Sequence, residues 1–328
     1  MTMQCPIKAF GGAAIAALLF ASQGIAADFT GRLSLDAQEG HPKYIAAQSF
    51  AKAVSEGTNG AVEIEIFGNS LLGGEAESAE GMRLGSIQAG IITSSVFASW
   101  VPDVQVLDLP FLFRNDEHAI AANSLLTERM GPQFEANGFH LLGFSINGAR
   151  QLMSKEPIVV PEDVQGKKMR VIQNPIHVAL WEQMGANPVP IPAPEVYNAM
   201  QTGVVDYFDN TATNYLTFKF FEVGPHYTNL SHIYAMGTWV MSKTFWDSLP
   251  AEYQAVVTKA AQDAEASVAP MQAVMDKEAL AETVSKGATI HEVSDKEAWR
   301  ALMAPVWAKF TPTIPNAEAT IEAINALK

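Results

Sequence analysis

Two arginines lie on predicted strands, among apolar neighbours. Arg150 follows the turn Asn147-Gly148, and Arg170 lies within Lys168-Met169-Arg170-Val171-Ile172. Arginine is rarely buried without a partner, and its planar guanidinium matches a carboxylate through two parallel hydrogen bonds. These residues predict a carboxylate-binding site. The alternative for each arginine is an edge-strand position, paired with a surface acid.

Asn210 is a third polar residue in a position suited to binding, because it comes shortly after the predicted strand Val204-Val205-Asp206. An amide side chain can donate to a carboxylate or accept from a hydroxyl. The alternative is a turn or cap residue. Arg170 is favoured as a ligand residue because its strand leads into a predicted helix, and ligands of α/β sheets collect at the carboxyl ends of strands.

Strands and helices alternate along the chain, as judged from the spacing of apolar residues. We predict strands at Arg32–Asp36, Val62–Phe67, Ile87–Thr93, Phe139–Phe144, Arg150–Ser154, Lys168–Ile172, Val204–Asp206 and Ile233–Ser242. We predict helices at Tyr44–Ser55, Glu75–Leu84, Asn115–Met130, Pro175–Met184, Glu195–Gln201 and Ala251–Lys286. This order indicates two α/β units with mainly parallel sheets. Pro270 predicts a kink in the last helix, or two helices end to end.

Signatures of catalysis and of metal binding are missing from the sequence. There is no Gly-x-Ser-x-Gly elbow, phosphate-binding loop or His-Glu-x-x-His motif, and the seven histidines are scattered without paired spacing. We expect no catalytic residue, no metal and no cofactor. A hydrolase with a site assembled only in space is the alternative.

The first residues are typical of a secretory signal peptide. Lys8 precedes the apolar run Ala9–Phe20, which is too short to span a bilayer, and small residues follow. We predict cleavage after Ala26, with Ala27 as the close alternative; a buried first helix is the competing interpretation. Cys5 is the only cysteine, so the exported chain would form no disulfide.

The net charge of -14 argues against nucleic acid and anionic membrane surfaces as partners. No later apolar stretch reaches spanning length, so we expect no stable membrane insertion. The signal peptide predicts a periplasmic location, and we also expect a monomer.

Several motifs together resemble the periplasmic solute-binding proteins of TRAP (tripartite ATP-independent periplasmic) transporters, of the DctP type. Gly166-Lys167-Lys168-Met169-Arg170-Val171 is similar to their Gly-Leu-Lys-Ile-Arg-Val segment, and Asn147-Gly148-Ala149-Arg150 to their Gly-x-Arg strand. The run from Pro194 to Asp206 resembles their Glu-Val-Tyr-x-Ala-Leu-Gln-x-Gly-x-Val-Asp motif. Leu109–Phe113 and Trp246–Pro250 also fit, in the expected order.

The resemblance implies a two-domain periplasmic-binding-protein-like α/β fold, with the ligand cleft between the domains and a long kinked C-terminal helix spanning both. After the signal peptide, 1–26, we expect domain I at 27–147 plus 236–275 and domain II at 148–235 plus 276–328. The domains would close on an organic acid and deliver it to membrane subunits driven by an ion gradient. Presentation of the ligand to a membrane sensor is an alternative.

The resemblance also implies roles for individual residues. Arg170 would form the main salt bridge to the ligand carboxylate, and Arg150 and Asn210 would assist it. Segments Asp36–His41 and Thr93–Ser95 would line the opposite wall. The polar residues expected there are Glu39, His41, Glu75, Thr93 and Ser94.

Two aromatic residues depart from the family pattern. Tyr207 and Phe208 stand where the family has a glycine and a polar residue, which predicts an altered pocket wall or hinge contact. Ala193 stands where sialic-acid-binding members carry an aromatic residue, which argues against sialic acid. Because Glu39 or Glu75 would repel a second carboxylate, we favour a sugar acid or other hydroxylated monocarboxylate over a four-carbon dicarboxylate.

Overall fold

The protein is described by a computed structural model that covers residues 1–2 and 27–327. The predicted signal peptide and its cleavage point therefore lie almost wholly outside the described residues. Within these residues, eleven strands form the framework: β1 (Phe29–Leu35), β2 (Val62–Phe67), β3 (Ala89–Thr93), β4 (Phe139–Ala149), β5 (Gln151–Ser154), β6 (Lys168–Val171), β7 (Asn187–Pro190), β8 (Tyr207–Asn210), β9 (His226–Asn229), β10 (Tyr234–Ser242) and β11 (Thr289–Glu292).

Helices connect and cover these strands, and several short 3₁₀ turns, including Ser94–Ser99 and Pro102–Asp108, join them. The α-helices are α1 (Pro42–Gly57), α2 (Glu75–Arg83), α3 (Asp116–Ala121), α4 (Asn123–Ala136), α5 (Pro175–Gln183), α6 (Val196–Gln201), α7 (Ala212–Thr217), α8 (Lys243–Ser248), α9 (Ala251–Ser285), α10 (Lys296–Ala301), α11 (Ala304–Phe310) and α12 (Ala317–Asn325).

The strands form two sheets, each the centre of one lobe. The first lobe has the strand order β2-β1-β3-β10-β4 and the second has β11-β9-β5-β8-β6-β7. The prediction of two α/β units is confirmed. Both sheets are mixed, because β10 runs antiparallel to β3 and β4, and β5 runs antiparallel to β8 and β9. The expected bounds of the two domains stay a prediction.

The chain passes from the first sheet to the second through one residue, Arg150, which lies between β4 and β5. The predicted turn at Asn147-Gly148 is instead a β-bulge inside β4, where the pairing with β10 shifts by one residue. Gly148 has a φ of +116°, a conformation that side chains with a Cβ rarely adopt. The bulge therefore sets the direction in which Arg150 leaves the first sheet.

Helix starts follow the capping rules. The Nδ1 atom of His41 accepts a hydrogen bond from the backbone N–H of Lys43 at 3.1 Å, and Pro42 occupies the first turn of α1. Asn174 caps α5 in the same way, at 2.8 Å from the backbone nitrogen of Ile176. These caps fix both helices at the edges of the inter-lobe cleft.

Helix α9 is continuous over 35 residues and contains Pro270. The prediction of two helices placed end to end is therefore wrong. The alternative, a kink at Pro270, stays a prediction. At 1.5 Å per residue α9 is about 52 Å long, and it packs on α1 of the first lobe and on α7 of the second. In the part of the chain that the structure describes, no helix is both long and apolar enough to cross a bilayer.

The apolar core joins the lobes. One cluster of buried residues contains Phe144 from the first sheet together with Trp181 from α5 and Trp299 from α10. Separate clusters lie under α1 and α9 in the first lobe and under α6 and α7 in the second. The lobes thus share packed side chains on one side and are separated by a cleft on the other.

Candidate functional site

A narrow cleft, with a cavity of about 50 Å³, lies between the lobes. Polar side chains dominate both walls. The first lobe contributes Asp36, Lys43, Glu75, Thr93 and Asn147, and the second contributes Arg150, Arg170, Gln173, Asn210 and Asn214.

Arg170 lies on β6 with only 4% of its surface exposed. Its Nε atom donates to the carbonyl oxygen of Ile191 at 2.7 Å. Among the described residues, no carboxylate lies within 4.0 Å of its guanidinium, and no hydrogen bond engages its terminal nitrogens. Burial, and then repulsion by Arg150, lower the pKa of Arg170 to about 10. The side chain is thus a buried cation whose charge lacks a close counter-ion.

Arg150 is buried in the same wall but is paired with a carboxylate. Its Nε and Nη2 atoms donate to the two carboxylate oxygens of Asp209 at 2.6 and 2.8 Å. His232 contributes a further contact to that carboxylate, with its Nε2 atom 3.0 Å from Oδ2. Burial alone would raise the pKa of Asp209, but the Arg150 guanidinium and the bonds from both neighbours hold it well below its usual value. Most of the charge of Arg150 is therefore neutralised within the protein.

Asn210 is the last residue of β8, rather than a residue beyond the strand. The strand predicted at Val204–Asp206 is wrong by three residues: β8 begins at Tyr207, and all four of its residues are buried. The Oδ1 atom of Asn210 accepts from the backbone nitrogen of Thr211 at 2.9 Å and from Asn214 Nδ2 at 3.0 Å. With its oxygen engaged, Asn210 has its amide N–H groups left to donate into the cleft.

The opposite wall carries two carboxylates and one ammonium group. Lys43 Nζ lies 2.7 Å from Asp36 Oδ1, and both side chains are buried. Glu75 Oε1 accepts from the backbone nitrogen and the hydroxyl of Thr93 at 2.7 and 2.9 Å. Burial, and then the nearby charge of Asp36, raise the pKa of Glu75 to about 7. This wall can accept hydrogen bonds from hydroxyl groups through its carboxylates and can donate hydrogen bonds through Lys43.

Asn147 and Asn214 line the cleft, and the amide oxygen of each is buried without a hydrogen-bond partner among the described residues. The Nδ2 atom of Asn147 lies 3.4 Å from the Thr93 hydroxyl. Buried polar atoms in native proteins nearly always have a partner. These two oxygens are therefore suited to receive hydrogen bonds from hydroxyl groups of a bound molecule.

Several predicted site residues come together in this cleft: Arg170, Arg150, Asn210, Glu75 and Thr93. Others do not. Glu39 is exposed and lines a separate surface hollow with Tyr44 and Asn69. His41 is buried in its capping role, and burial followed by the charge of Lys43 lowers its pKa to about 3. Ser94 is buried at the start of a 3₁₀ turn and does not line the cleft.

Tyr207 and Phe208 are core residues and do not line the cleft, which corrects the expectation of an altered pocket wall. Tyr207 packs edge-on against Trp181, with ring centroids 5.5 Å apart. Phe208 points to the opposite face of β8 and contacts Phe220 at 4.8 Å. Adjacent residues of a strand face opposite sides of its sheet, so the two rings fill two different cores.

Sequence reasoning missed Lys43 and Asp209. Lys43 lies in the first turn of α1, where the helix dipole disfavours a cation, and this misplacement could have marked it as a residue held there by an acid. Asp209 lies in β8, whose four residues are all buried, and a buried carboxylate needs a partner. Within the described residues, no three histidine, aspartate or glutamate side chains are grouped so as to hold a metal ion.

Comparison with known proteins gives a consistent family assignment. The profile of the bacterial extracellular solute-binding protein family 7, DctP, matches residues 33–313. A solute-binding protein of Verminephrobacter eiseniae is 33% identical over 288 residues, which cover 87% of this chain and 86% of that protein.

Solved structures with the same fold include TRAP periplasmic solute-binding proteins with different ligands. One from Xanthobacter autotrophicus Py2, with bound β-D-galacturonate, has a TM-score of 0.87 at 29% identity and covers 91% of this chain and 100% of its own. One from Sulfurospirillum deleyianum, with bound succinate, has a TM-score of 0.85 at 33% identity, covering 92% and 100%. The predicted resemblance is confirmed: the chain belongs to family 7 of the bacterial extracellular solute-binding proteins, the family of TRAP transporter solute-binding proteins.

Proposed function

We propose that the protein captures a hydroxylated monocarboxylate, of the hexuronate class, in the periplasm and delivers it to the membrane subunits of a TRAP transporter. The observation that carries this proposal is the guanidinium of Arg170, which is buried in the cleft without a carboxylate partner among the described residues. A buried charge of this kind is costly until an opposite charge reaches it. A ligand carboxylate would supply that charge and two parallel hydrogen bonds.

The other groups of the cleft would position the rest of such a ligand. Asn210 would donate to the same carboxylate, and Arg150, fixed by Asp209, would assist through Nη1, which makes no hydrogen bond within the described residues. The orphan oxygens of Asn147 and Asn214 would accept from ligand hydroxyls. Hydrogen bonds to charged groups contribute about 1.5–3 kcal/mol each, and a micromolar dissociation constant needs only about -8 kcal/mol. The site therefore reaches useful affinity with side chains alone.

Closure of the lobes would complete the capture. The amide nitrogen of Gln38 in the first lobe donates to the carbonyl oxygen of Thr217 in the second, which joins the two lobes. Movement would take place about the crossing at Arg150 and the return crossing at residues 230–233. Closing removes water that would compete for the ligand carboxylate. We also propose that the protein acts as a monomer and catalyses no reaction.

A four-carbon dicarboxylate is the second candidate, favoured by the succinate bound to the Sulfurospirillum neighbour. Titration calorimetry of the purified protein with D-galacturonate, D-glucuronate and succinate distinguishes the two. We expect binding of a hexuronate in the micromolar range or tighter, and mass spectrometry of ligand released on denaturation should find the same class. Binding of succinate alone would overturn the monocarboxylate assignment.

A further inference from the structure

The cations of the cleft differ in whether the protein already neutralises them. Lys43 is paired with Asp36 at 2.7 Å and Arg150 with Asp209 at 2.6 Å. Arg170 alone of these three has no carboxylate within 4.0 Å in the described part of the chain. The cleft therefore offers uncompensated positive charge at one place, on the wall formed by the second lobe.

A ligand whose carboxylate binds Arg170 extends its other end towards the first lobe. There it meets the carboxylates of Asp36 and Glu75, and the ammonium group of Lys43. One oxygen of Glu75 is occupied by Thr93, which leaves the other free to accept a hydrogen bond. Hydroxyl groups can donate to these oxygens, whereas a second carboxylate would be repelled by them.

We propose that the Asp36–Lys43 ion pair determines the specificity of the site, because Asp36 neutralises the cation on the first lobe that a second ligand carboxylate would need. This inference rests on the proposed function and deepens it. The pair admits acids with one carboxylate and hydroxyl groups at the far end. It excludes dicarboxylates of similar size by an unfavourable charge rather than by shape.

The test is a change of selectivity in Asp36→Asn, which keeps the shape of the side chain and releases the charge of Lys43. D-galacturonate and succinate are titrated into the purified wild type and the variant. We expect the wild type to prefer the uronate. In the variant the preference should fall by about tenfold or more, because succinate gains an ion pair and the uronate loses a charged hydrogen-bond acceptor.

A double variant, Asp36→Asn with Lys43→Gln, separates release of the lysine from loss of the aspartate. It removes both charges, so succinate should gain nothing while the uronate is weakened. Asp247→Asn is the matched control, because Asp247 pairs with Lys243 on the exposed surface, and it should leave both affinities unchanged. Equal gains for succinate in the single and double variants would overturn the role of the pair.

If Asp36→Asn does not fold, Glu75→Gln tests the same wall with the lysine pair intact. Removing this second repelling carboxylate should also narrow the preference for the uronate, by several-fold. Folded variants that bind the uronate with unchanged selectivity would overturn this inference and leave the proposed function standing. A wild type that binds no uronate would instead overturn the proposed function itself.

Discussion

Arg150 and Arg170 lie on the same wall of the cleft, with equal burial and opposite surroundings. Arg150 is held by both oxygens of Asp209, which His232 supports from behind. Arg170 is held by one carbonyl oxygen, and its terminal nitrogens make no hydrogen bond within the described residues. The two side chains thus differ in their surroundings: the first is neutralised within the protein, and we propose that a ligand carboxylate neutralises the second.

The difference shows how a protein can bury a guanidinium group that has no carboxylate partner of its own. A single unpaired cation is tolerable at Arg170 because the second cation nearby is already neutralised. Two uncompensated guanidinium groups at this distance would repel each other and destabilise the closed cleft. Arg170 can therefore stay without a carboxylate partner because Arg150 is paired with Asp209.

The largest expected effect is on stability when the paired arginine is removed. Arg150→Met leaves Asp209 buried without its cation, which should reduce the free energy of unfolding by about 3–5 kcal/mol. Urea denaturation followed by circular dichroism measures the change. Arg83→Met is the matched control, because the pair of Arg83 with Glu80 is exposed, and its midpoint should stay near that of the wild type. Equal midpoints for both variants would remove the contrast between the two arginines.

Removal of the unpaired arginine should act on binding instead. Arg170→Met is expected to weaken uronate binding by about 2–5 kcal/mol, while the melting temperature of the free protein stays constant or rises, because an unpaired buried charge is removed. Arg170→Lys should also bind poorly, because an ammonium group cannot make two parallel bonds. Calorimetry and thermal melts on the same samples check both statements. A large loss of stability in Arg170→Met would place Arg170 in the structural class of Arg150.

The opposite wall should make binding depend on pH. Burial and the charge of Asp36 raise the pKa of Glu75 to about 7. The cations near this carboxyl group are Lys43 and Arg170. Because the protonated form does not repel a ligand anion, affinity should be highest below pH 7. It should fall above pH 7, by at most about tenfold per pH unit.

The same shift has a consequence for the free protein. A carboxyl group with a raised folded pKa contributes stability that is complete below its unfolded pKa of 4.5 and is lost as pH rises through about 7. Calorimetry and thermal melts between pH 5 and pH 8.5 measure both trends. In Glu75→Gln the affinity should no longer change across this range; an unchanged slope in that variant would assign the pH dependence to another group.

The smallest effect on stability and on affinity is expected from a substitution of Tyr207, in the core of the second lobe. Tyr207→Phe removes a hydroxyl that is buried without a partner among the described residues. We expect stability to stay constant or to rise slightly, and uronate affinity to change by less than about twofold, because the side chain does not line the cleft. A tenfold loss of affinity would return Tyr207 to the ligand site that the sequence first predicted.

Two of the predicted site residues that line the cleft are Arg170 and Asn210. Arg170 was singled out because a charged side chain among apolar strand neighbours needs a reason to be there, and Asn210 because it was expected just beyond the end of a strand. The periodicity of a strand fixes which way each side chain points, so their arrival in the cleft follows from the pattern once the two-sheet order is known.

The residues that were placed wrongly lie where periodicity gives no direction. Glu39 and His41 lie in the turn around Gly40, and one side chain faces solvent while the other caps a helix. Tyr207 and Phe208 were expected to alter the pocket wall or hinge contact because they depart from the family pattern, whereas both side chains are buried in β8. The pairing of Arg150 with Asp209 joins residues far apart in sequence, and no local pattern predicts which of the many acids would be the partner.

The single-residue passage between β4 and β5 has a consequence for how this protein can be recombined. A chimera that takes its second lobe from a relative must be joined at or beside Arg150, where no loop exists to absorb a change in length. Its cation and the acid that neutralises it would then come from different parents unless both are kept. We expect such chimeras to fold when Arg150 and Asp209 are inherited together, so the unit of exchange includes the crossing residue as well as the sheet beyond it.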